Sequence, residues 1–78
     1  MVDFNTDPSW IERCRAFNAA MQGTGFRAVT SCGEPTIERD GMHFRLVPVI
    51  GFTRYLRNFC RYYGDEGRQA EFERGLGR

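Results

Sequence analysis

The segment from Phe52 to Tyr63 constrains the fold of this chain more than any other stretch. Its apolar residues recur at intervals of three and four, which is the period of one face of an α-helix. They are Phe52, Tyr55, Leu56, Phe59, Cys60 and Tyr63. Gly64 follows, where a helix end favours a residue that accepts the left-handed conformation. The pattern therefore predicts an amphipathic helix over 52–63.

The other side of this helix carries a stripe of basic side chains. Three arginines at positions i, i+3 and i+7 share it with two further hydrogen-bonding residues: Arg54, Arg57, Arg61, Asn58 and Tyr62. No acidic residue occurs between Gly41 and Gly64, so the segment is locally basic. We interpret these five residues as the leading partner-binding surface. The competing interpretation is a solvated helix face, neutralised by the acidic residues that follow: Asp65, Glu66, Glu71 and Glu73.

Composition limits the class of protein. A chain of 78 residues with 41% apolar residues is long enough for one small globular domain, which we expect to span 1–78. The formal net charge of +1 demands neither nucleic acid nor a membrane as partner. Three cysteines without a CxxC pair argue against a disulfide framework. We therefore expect a cytoplasmic protein with reduced thiols and no membrane partner.

The first half of the chain predicts a helix and a strand. Asp7-Pro8 is a helix start, because aspartate accepts from free first-turn amides and proline is tolerated at the first position. An apolar stripe follows at helical spacing: Trp10, Ile11, Cys14, Phe17, Ala20 and Met21. Gly23 and Gly25 should end this helix. The segment 26–32 is partly β-branched and is bounded by glycines, so we predict a strand there.

The dipeptide Asp40-Gly41 predicts a tight hairpin, because both residues tolerate the positive φ angles of a two-residue turn. The predicted cross-strand pairs are Arg39 with Met42, Glu38 with His43, Ile37 with Phe44, and Thr36 with Arg45. Alternation then places Ile37, Met42, Phe44 and Leu46 on an apolar face, and Thr36, Glu38, His43 and Arg45 on a polar one. The second strand should end near Val47, since Pro48 cannot donate to a ladder.

The predicted order is helix, three-stranded antiparallel meander, helix, which is a two-layer α+β domain. The two helices should pack their aromatic stripes on the Ile37, Phe44 and Leu46 face. Residues 65–74 could add a short C-terminal helix, weakened by glycines. We expect residues 1–6 and 75–78 to be loose.

Catalytic and metal-binding constellations are weak in this sequence. Cys14, Cys32, Cys60 and His43 lack the close ligand pairs of structural zinc sites, so we expect no metal and no cofactor. A cysteine nucleophile would have His43 as its only histidine base, and its predicted neighbour Glu38 forms such a pair in many hairpins without catalysis. We therefore expect no enzyme. The polar hairpin face of Glu38, His43 and Arg45 is a secondary partner-binding candidate.

The predicted order of elements resembles that of double-stranded-RNA-binding domains, and the resemblance covers topology only. That family usually carries a histidine in its first strand–strand loop and a lysine cluster opening its second helix. Here the loop is 31–35 without histidine, and Thr53-Arg54 opens the helix without lysine. Both contact elements are missing, so membership does not follow.

The sequence favours a small non-enzymatic protein that docks its arginine stripe on an acidic surface of a larger protein or nucleoprotein complex. In size it is similar to small inhibitor and accessory proteins, including those that phages direct against CRISPR complexes. Two alternatives stay open. One is a module that binds an RNA or DNA backbone, and the other is a structural homodimer.

Overall fold

The computed structural model describes residues 7–46 and 50–76, and within them it confirms an α+β domain. Three helices and three strands follow in the order α1 (Pro8–Ala20), β1 (Arg27–Ser31), β2 (Glu34–Arg39), β3 (Met42–Arg45), α2 (Phe52–Tyr63) and α3 (Glu66–Gly75). The strands form one antiparallel sheet in the order β1-β2-β3. The bounds of α2 are those that its apolar period predicts. Residues 1–6, 77–78 and the predicted strand end at Val47 lie outside the described residues.

Helix α1 begins as its first residues predict. Asp7 is the N-cap and accepts a hydrogen bond from the Ser9 amide at 3.0 Å, and Pro8 occupies the first turn. The buried face differs in part from the predicted stripe. Ile11 is 40% exposed, whereas Ala16 is buried. The reason is the position of α3, which packs closely along the Ala16 side of α1.

The hairpin between β2 and β3 has the predicted register at all four pairs. Asp40 has φ 51° and Gly41 has φ 81°, so both turn residues take the positive φ that a type I′ turn needs. Because the side-chain period of a strand is two, this register fixes which residues face the helices.

The loop predicted over 31–35 is wrong, since β2 already begins at Glu34. Cys32 (φ 54°) and Gly33 (φ 78°) form a second two-residue turn with positive φ at both positions, and Ser31 pairs with Glu34 across it. Pro35 lies inside β2 despite lacking an amide hydrogen. It is tolerated because its nitrogen faces β3 beyond the last ladder pair of Thr36 with Arg45, where the Pro35 carbonyl accepts from the Leu46 amide at 3.1 Å.

Helix α3 spans ten residues and packs against the core, whereas the sequence predicted only a weak terminal helix. Asp65 caps it by accepting from the Arg68 amide at 2.8 Å, and Phe72 is completely buried. The Phe72 ring lies 6.5 Å from that of Phe17 in α1. Gly75 is the last residue of α3 and lies close to Ala16, and the partly buried Leu76 packs against the core. The expectation that residues 75–78 are loose stays a prediction.

Gly64 ends α2 as predicted but not in the left-handed conformation, since its φ is −129°. Its role is close packing. A Cβ atom at Gly64 would lie 2.6 Å from the Cys60 carbonyl oxygen and 2.5 Å from Cδ of Arg68. The lack of a side chain therefore lets α3 fold back against α2 immediately after the turn.

The apolar face of the sheet is only partly covered by helices. Ile37 and Leu46 are buried as predicted, but Phe44 is 38% exposed and Met42 is 62% exposed. The helices lie towards the β1 edge of the sheet, where α1 packs directly against β1, and leave the β3 edge less covered. On the other face, Thr36 is buried rather than open, because it sits on the central strand between Val29 and Arg45.

Candidate functional site

Two of the three stripe arginines pair with acidic residues of α3. Arg57 Nη1 lies 3.9 Å from a carboxylate oxygen of Glu73, and Arg61 Nη2 lies 3.7 Å from one of Glu66. Arg54 is exposed and has no ion-pair partner within the described residues. These long, solvent-exposed pairs contribute little to stability, but they offset the positive charge locally. The neutralising interpretation therefore applies to Arg57 and Arg61.

A wide apolar groove lies beside the stripe on α2. Its volume is about 660 Å³, and its lining includes Ile50, Tyr55, Phe59, Tyr62 and Tyr63. Tyr62 is 80% exposed, Tyr63 51% and Ile50 46%. Asn58 and Arg61, both predicted binding residues, lie at its edge. Three of the five predicted stripe residues thus border one surface with an apolar centre.

A second hollow of about 320 Å³ continues this surface onto β3. It is lined by Met42, Phe44 and Phe26 together with Arg39 and Asp40, and it shares Tyr63 with the first groove. Tyr63 joins the two parts, since its ring lies 5.2 Å from Phe26, 4.4 Å from Phe59 and 4.8 Å from Tyr62. We call the combined surface of both hollows the aromatic groove.

The aromatic groove has basic groups at its margin. The Arg39 guanidinium lies over the Phe26 ring at 4.6 Å, a cation–π contact that holds the side chain beside the groove. Arg61 is at the other end, with its side chain 64% exposed. One acidic side chain, Asp40, lines the groove within the described residues, and it lies 3.5 Å from Arg39.

The secondary candidate surface is neutralised by its own ion pairs. The His43 ring nitrogen lies 3.1 Å from the Glu38 carboxylate, and Arg45 Nε lies 3.0 Å from that of Glu34. Arg27 adds a third basic group 3.8 Å from Glu38. Acid and base alternate across this face, so it has no single-sign charge to attract a partner.

A third cleft, of about 610 Å³, lies between α1 and the start of α2. Three arginines line it: Arg13, Arg54 and Arg57. Arg13 donates to the Thr53 hydroxyl at 2.5 Å, which ties the two helices together. The first turn of α2 has no side-chain cap and no acidic residue. The cleft is therefore a basic concavity, although Asp7 also lines it.

Sequence reasoning missed the groove because it assigned Met42 and Phe44 to the core. Their alternation was read correctly, but periodicity reports which face a residue is on and not whether another element covers that face. It also missed Arg13, which belongs to no motif. The apolar Ile50, which lies outside both the predicted strand and the predicted helix, was a sequence signal for an open apolar surface at this end.

The three cysteines occupy different environments. Cys60 is fully buried, and burial raises the pKa of its thiol to about 12 although the nearby Arg68 charge acts in the opposite direction. Burial likewise raises the pKa of the half-buried Cys14 to about 11. Cys32 is exposed in the β1–β2 turn. Since the thiolate is the reactive form, Cys14 and Cys60 are poor nucleophiles in the folded protein.

We expect thiol labelling at pH 8 to show one fast site, at Cys32. A reagent that releases a coloured product when a thiolate attacks it should report one fast-reacting thiol per chain, which Cys32→Ser removes. Two more thiols should react only after unfolding. The buried thiols also set a pH dependence. Unfolded cysteines ionise near pH 9 while the folded ones stay protonated, so the free energy of unfolding should fall as pH rises above 9. Three fast equivalents in native buffer would contradict the buried positions.

In the part of the chain that the structure describes, no cluster of three or more histidine, cysteine or acidic residues is placed to hold a metal ion. Within the same residues, no helix has both the length and the apolar character to cross a membrane. The chain matches no family model, and no curated protein or solved structure matches it.

Proposed function

We propose that this protein is a protein-binding domain that docks through the aromatic groove. The observation that carries the proposal is the exposure of large apolar side chains from two adjacent elements on one surface: Met42, Phe44, Ile50, Tyr62 and Tyr63. Small soluble domains expose single apolar residues at random, but contiguous patches mark interaction sites. Tyrosine favours protein interfaces because its ring buries a large area and its hydroxyl still bonds.

The basic margin gives the groove a preference among partners. Arg39 and Arg61 flank it, and Arg54 lies on the same helix without a described counter-charge. An acidic partner surface would replace the weak, exposed pairs of Arg39 with Asp40 and of Arg61 with Glu66, whereas a basic partner would meet like charge. In this arrangement Asn58 and Arg61 of the predicted stripe border the site, and Tyr62 lies with the other aromatic residues at its centre.

Nucleic-acid binding is the second candidate, and the basic cleft of Arg13, Arg54 and Arg57 is the observation that favours it. Phosphate contacts come from such arginines and from helix N-termini. The ion pair between Arg57 and Glu73 reduces the free charge there. With so few contacts, binding would be weak at physiological salt.

The proposed setting is the cytosol, where an exposed thiol such as Cys32 stays reduced. The size suits an inhibitor or accessory protein that occupies one surface of a larger protein.

The test compares two isoleucines of similar exposure. Ile50 lies in the groove and is 46% exposed, and Ile11 lies on α1 and is 40% exposed. Binding partners captured from cell lysate should be lost with Ile50→Ser or Tyr62→Ala, and retained with Ile11→Ser. Nuclease treatment before capture should change nothing. Equal capture by Ile50→Ser and Ile11→Ser would overturn the groove proposal, and loss on nuclease treatment would favour nucleic acid.

A further inference from the structure

We propose that the partner contributes an extended strand that pairs antiparallel with the open edge of β3 and lays its apolar side chains in the aromatic groove. This inference rests on the proposed function and specifies how the partner binds. It is carried by the difference between the two edges of the sheet and by the position of the groove.

The register identifies which backbone groups of β3 are available. In a two-residue hairpin the residues that flank the turn bond to each other, and pairs then alternate between bonded and non-bonded. Met42 and Phe44 therefore bond to β2, while His43 and Arg45 direct their N–H and C=O groups outward. The bond from the Leu46 amide to the Pro35 carbonyl continues the same alternation, and it supports the assignment of His43 and Arg45 as the outward-facing residues.

The opposite edge of the sheet packs against α1, and a side chain of that helix bonds one of the two outward-facing residues of β1, which are Ala28 and Thr30. By the same alternation Ala28 of β1 points its backbone groups outward. The Asn18 side chain of α1 takes up both of them, accepting from the Ala28 amide at 2.7 Å and donating to its carbonyl at 3.3 Å. No described residue does the same for His43 or Arg45 of β3. Folded domains usually protect exposed edges, so an edge whose outward groups meet no other described residue, and which lies beside an apolar surface, is suited to binding a strand.

The groove provides the side-chain pockets that an added strand needs. A strand about 4.8 Å from β3 would place every second side chain on the Met42 and Phe44 face, next to Tyr63. Its intervening side chains would lie opposite His43 and Arg45 on the outer face. The edge supplies affinity through backbone bonds, and the groove supplies specificity through alternate side chains.

Charge indicates the chemistry of the partner strand. Charge alternates across the outer face of the sheet, since Arg27 of β1 lies opposite Glu38 of β2, and Glu38 in turn pairs with His43 of β3. The open edge therefore ends in two basic residues, His43 and Arg45, and opposite charges are favoured across neighbouring strands. A second copy of the chain would bring its own His43 and Arg45 against these residues. We therefore infer an extended segment in which apolar residues alternate with aspartate or glutamate, the acidic residues lying opposite His43 and Arg45.

The experiment uses a short fluorescent peptide, acetylated and amidated, in which phenylalanine and valine alternate with glutamate. Antiparallel pairing makes the glutamate amides bond to β3, and the amides of the apolar residues point away. N-methylation of the glutamate amides should weaken binding tenfold or more in fluorescence polarisation. The matched peptide, methylated at the apolar residues, should bind as well as the parent.

A protein variant tests the same bonds from the other side. His43→Pro removes one outward donor and leaves the bonds to β2 intact, because proline is tolerated on an edge strand. It should weaken peptide binding while far-UV circular dichroism and the melting temperature stay near those of wild type. If that variant does not fold, amide exchange in the wild-type protein decides, since the His43 and Arg45 amides should exchange more slowly with peptide bound.

The outcomes separate this inference from the proposed function. Equal affinity of both methylated peptides, or no binding of the parent peptide at about 1 mM, overturns strand addition. The groove proposal then still stands or falls on the comparison of Ile50→Ser with Ile11→Ser. A dimer in light scattering that dissociates with His43→Pro would identify a second copy as the occupant, and would overturn the acidic-partner inference.

Discussion

Replacing Phe72 with alanine should unfold a large fraction of the protein at 37 °C. The Phe72 side chain is fully buried and packs edge-on against Phe17, so truncation leaves a cavity between α1 and α3. Such changes cost about 3–5 kcal/mol. At roughly 0.05–0.15 kcal/mol per residue, a chain of 78 residues has only about 4–12 kcal/mol in total. Urea denaturation followed by circular dichroism measures the loss directly.

Two controls make this result specific. Phe72→Leu keeps most of the volume and should cost much less than Phe72→Ala. Tyr62→Ala removes an aromatic side chain that is 80% exposed, and its effect on the free energy of unfolding should stay within about 0.5 kcal/mol. A denaturation midpoint for Phe72→Ala equal to that of wild type would mean that α3 does not pack on α1.

The second large effect is expected from a single added methyl group, in Gly64→Ala. A Cβ atom there would lie 2.6 Å from the Cys60 carbonyl oxygen, which belongs to the backbone of α2 and cannot move aside freely. The turn between α2 and α3 would have to open, and overpacking of this kind costs about 1–3 kcal/mol. The melting temperature should fall, and the affinity for a partner at the groove should change less.

Gly67→Ala is the matched control for this substitution, three residues along the chain. Gly67 lies within α3, and its added Cβ would meet only the Asp65 carboxylate, at 3.2 Å. Alanine is favoured over glycine in a helix by about 1 kcal/mol. The same Asp65 oxygen accepts from the Arg68 amide as the N-cap of α3, so crowding it offsets part of this gain and Gly67→Ala should be close to neutral. If both variants melt at the same temperature, the close approach at Gly64 is not what holds α2 and α3 together.

Local signals predicted the elements that depend on short-range chemistry. The Asp40-Gly41 turn set the whole β2–β3 register because its backbone requirement is met by few residue pairs. The period of α2 gave its bounds, since six apolar residues repeat there without interruption. The Asp7-Pro8 start of α1 was likewise a matter of side-chain capping within one turn.

The parts that depend on tertiary contacts could not be derived in the same way. Helix α3 buries one large side chain, Phe72, in a polar segment with two glycines, Gly67 and Gly75, so its pattern is weak although its packing is tight. The turn at Cys32-Gly33 was not predicted because Pro35, two residues later, is typical of a loop. Only the position of Pro35 in the hydrogen-bond ladder explains why a strand accommodates it. The groove exists because the helices leave β3 partly uncovered, which no residue pattern reports.

The ion pairs of the arginine stripe likewise depend partly on local sequence and partly on tertiary packing. The sequence placed Arg57 and Arg61 on one helix face and named an acidic tail that could neutralise it. Which acid meets which arginine follows from the angle at which α3 returns along α2, and that angle depends on the packing at Gly64. The binding role of these residues stays a prediction.

The bonding of Asn18 to the β1 edge limits how far any assembly through the sheet can grow. A sheet with two free edges can add strands at both sides and extend into an open fibre. Here both backbone groups of Ala28 are already bonded to the Asn18 side chain, so this part of the β1 edge is not available to a further strand. Copies of the domain therefore cannot join β3 of one to β1 of the next in an endless sheet without first displacing that side chain.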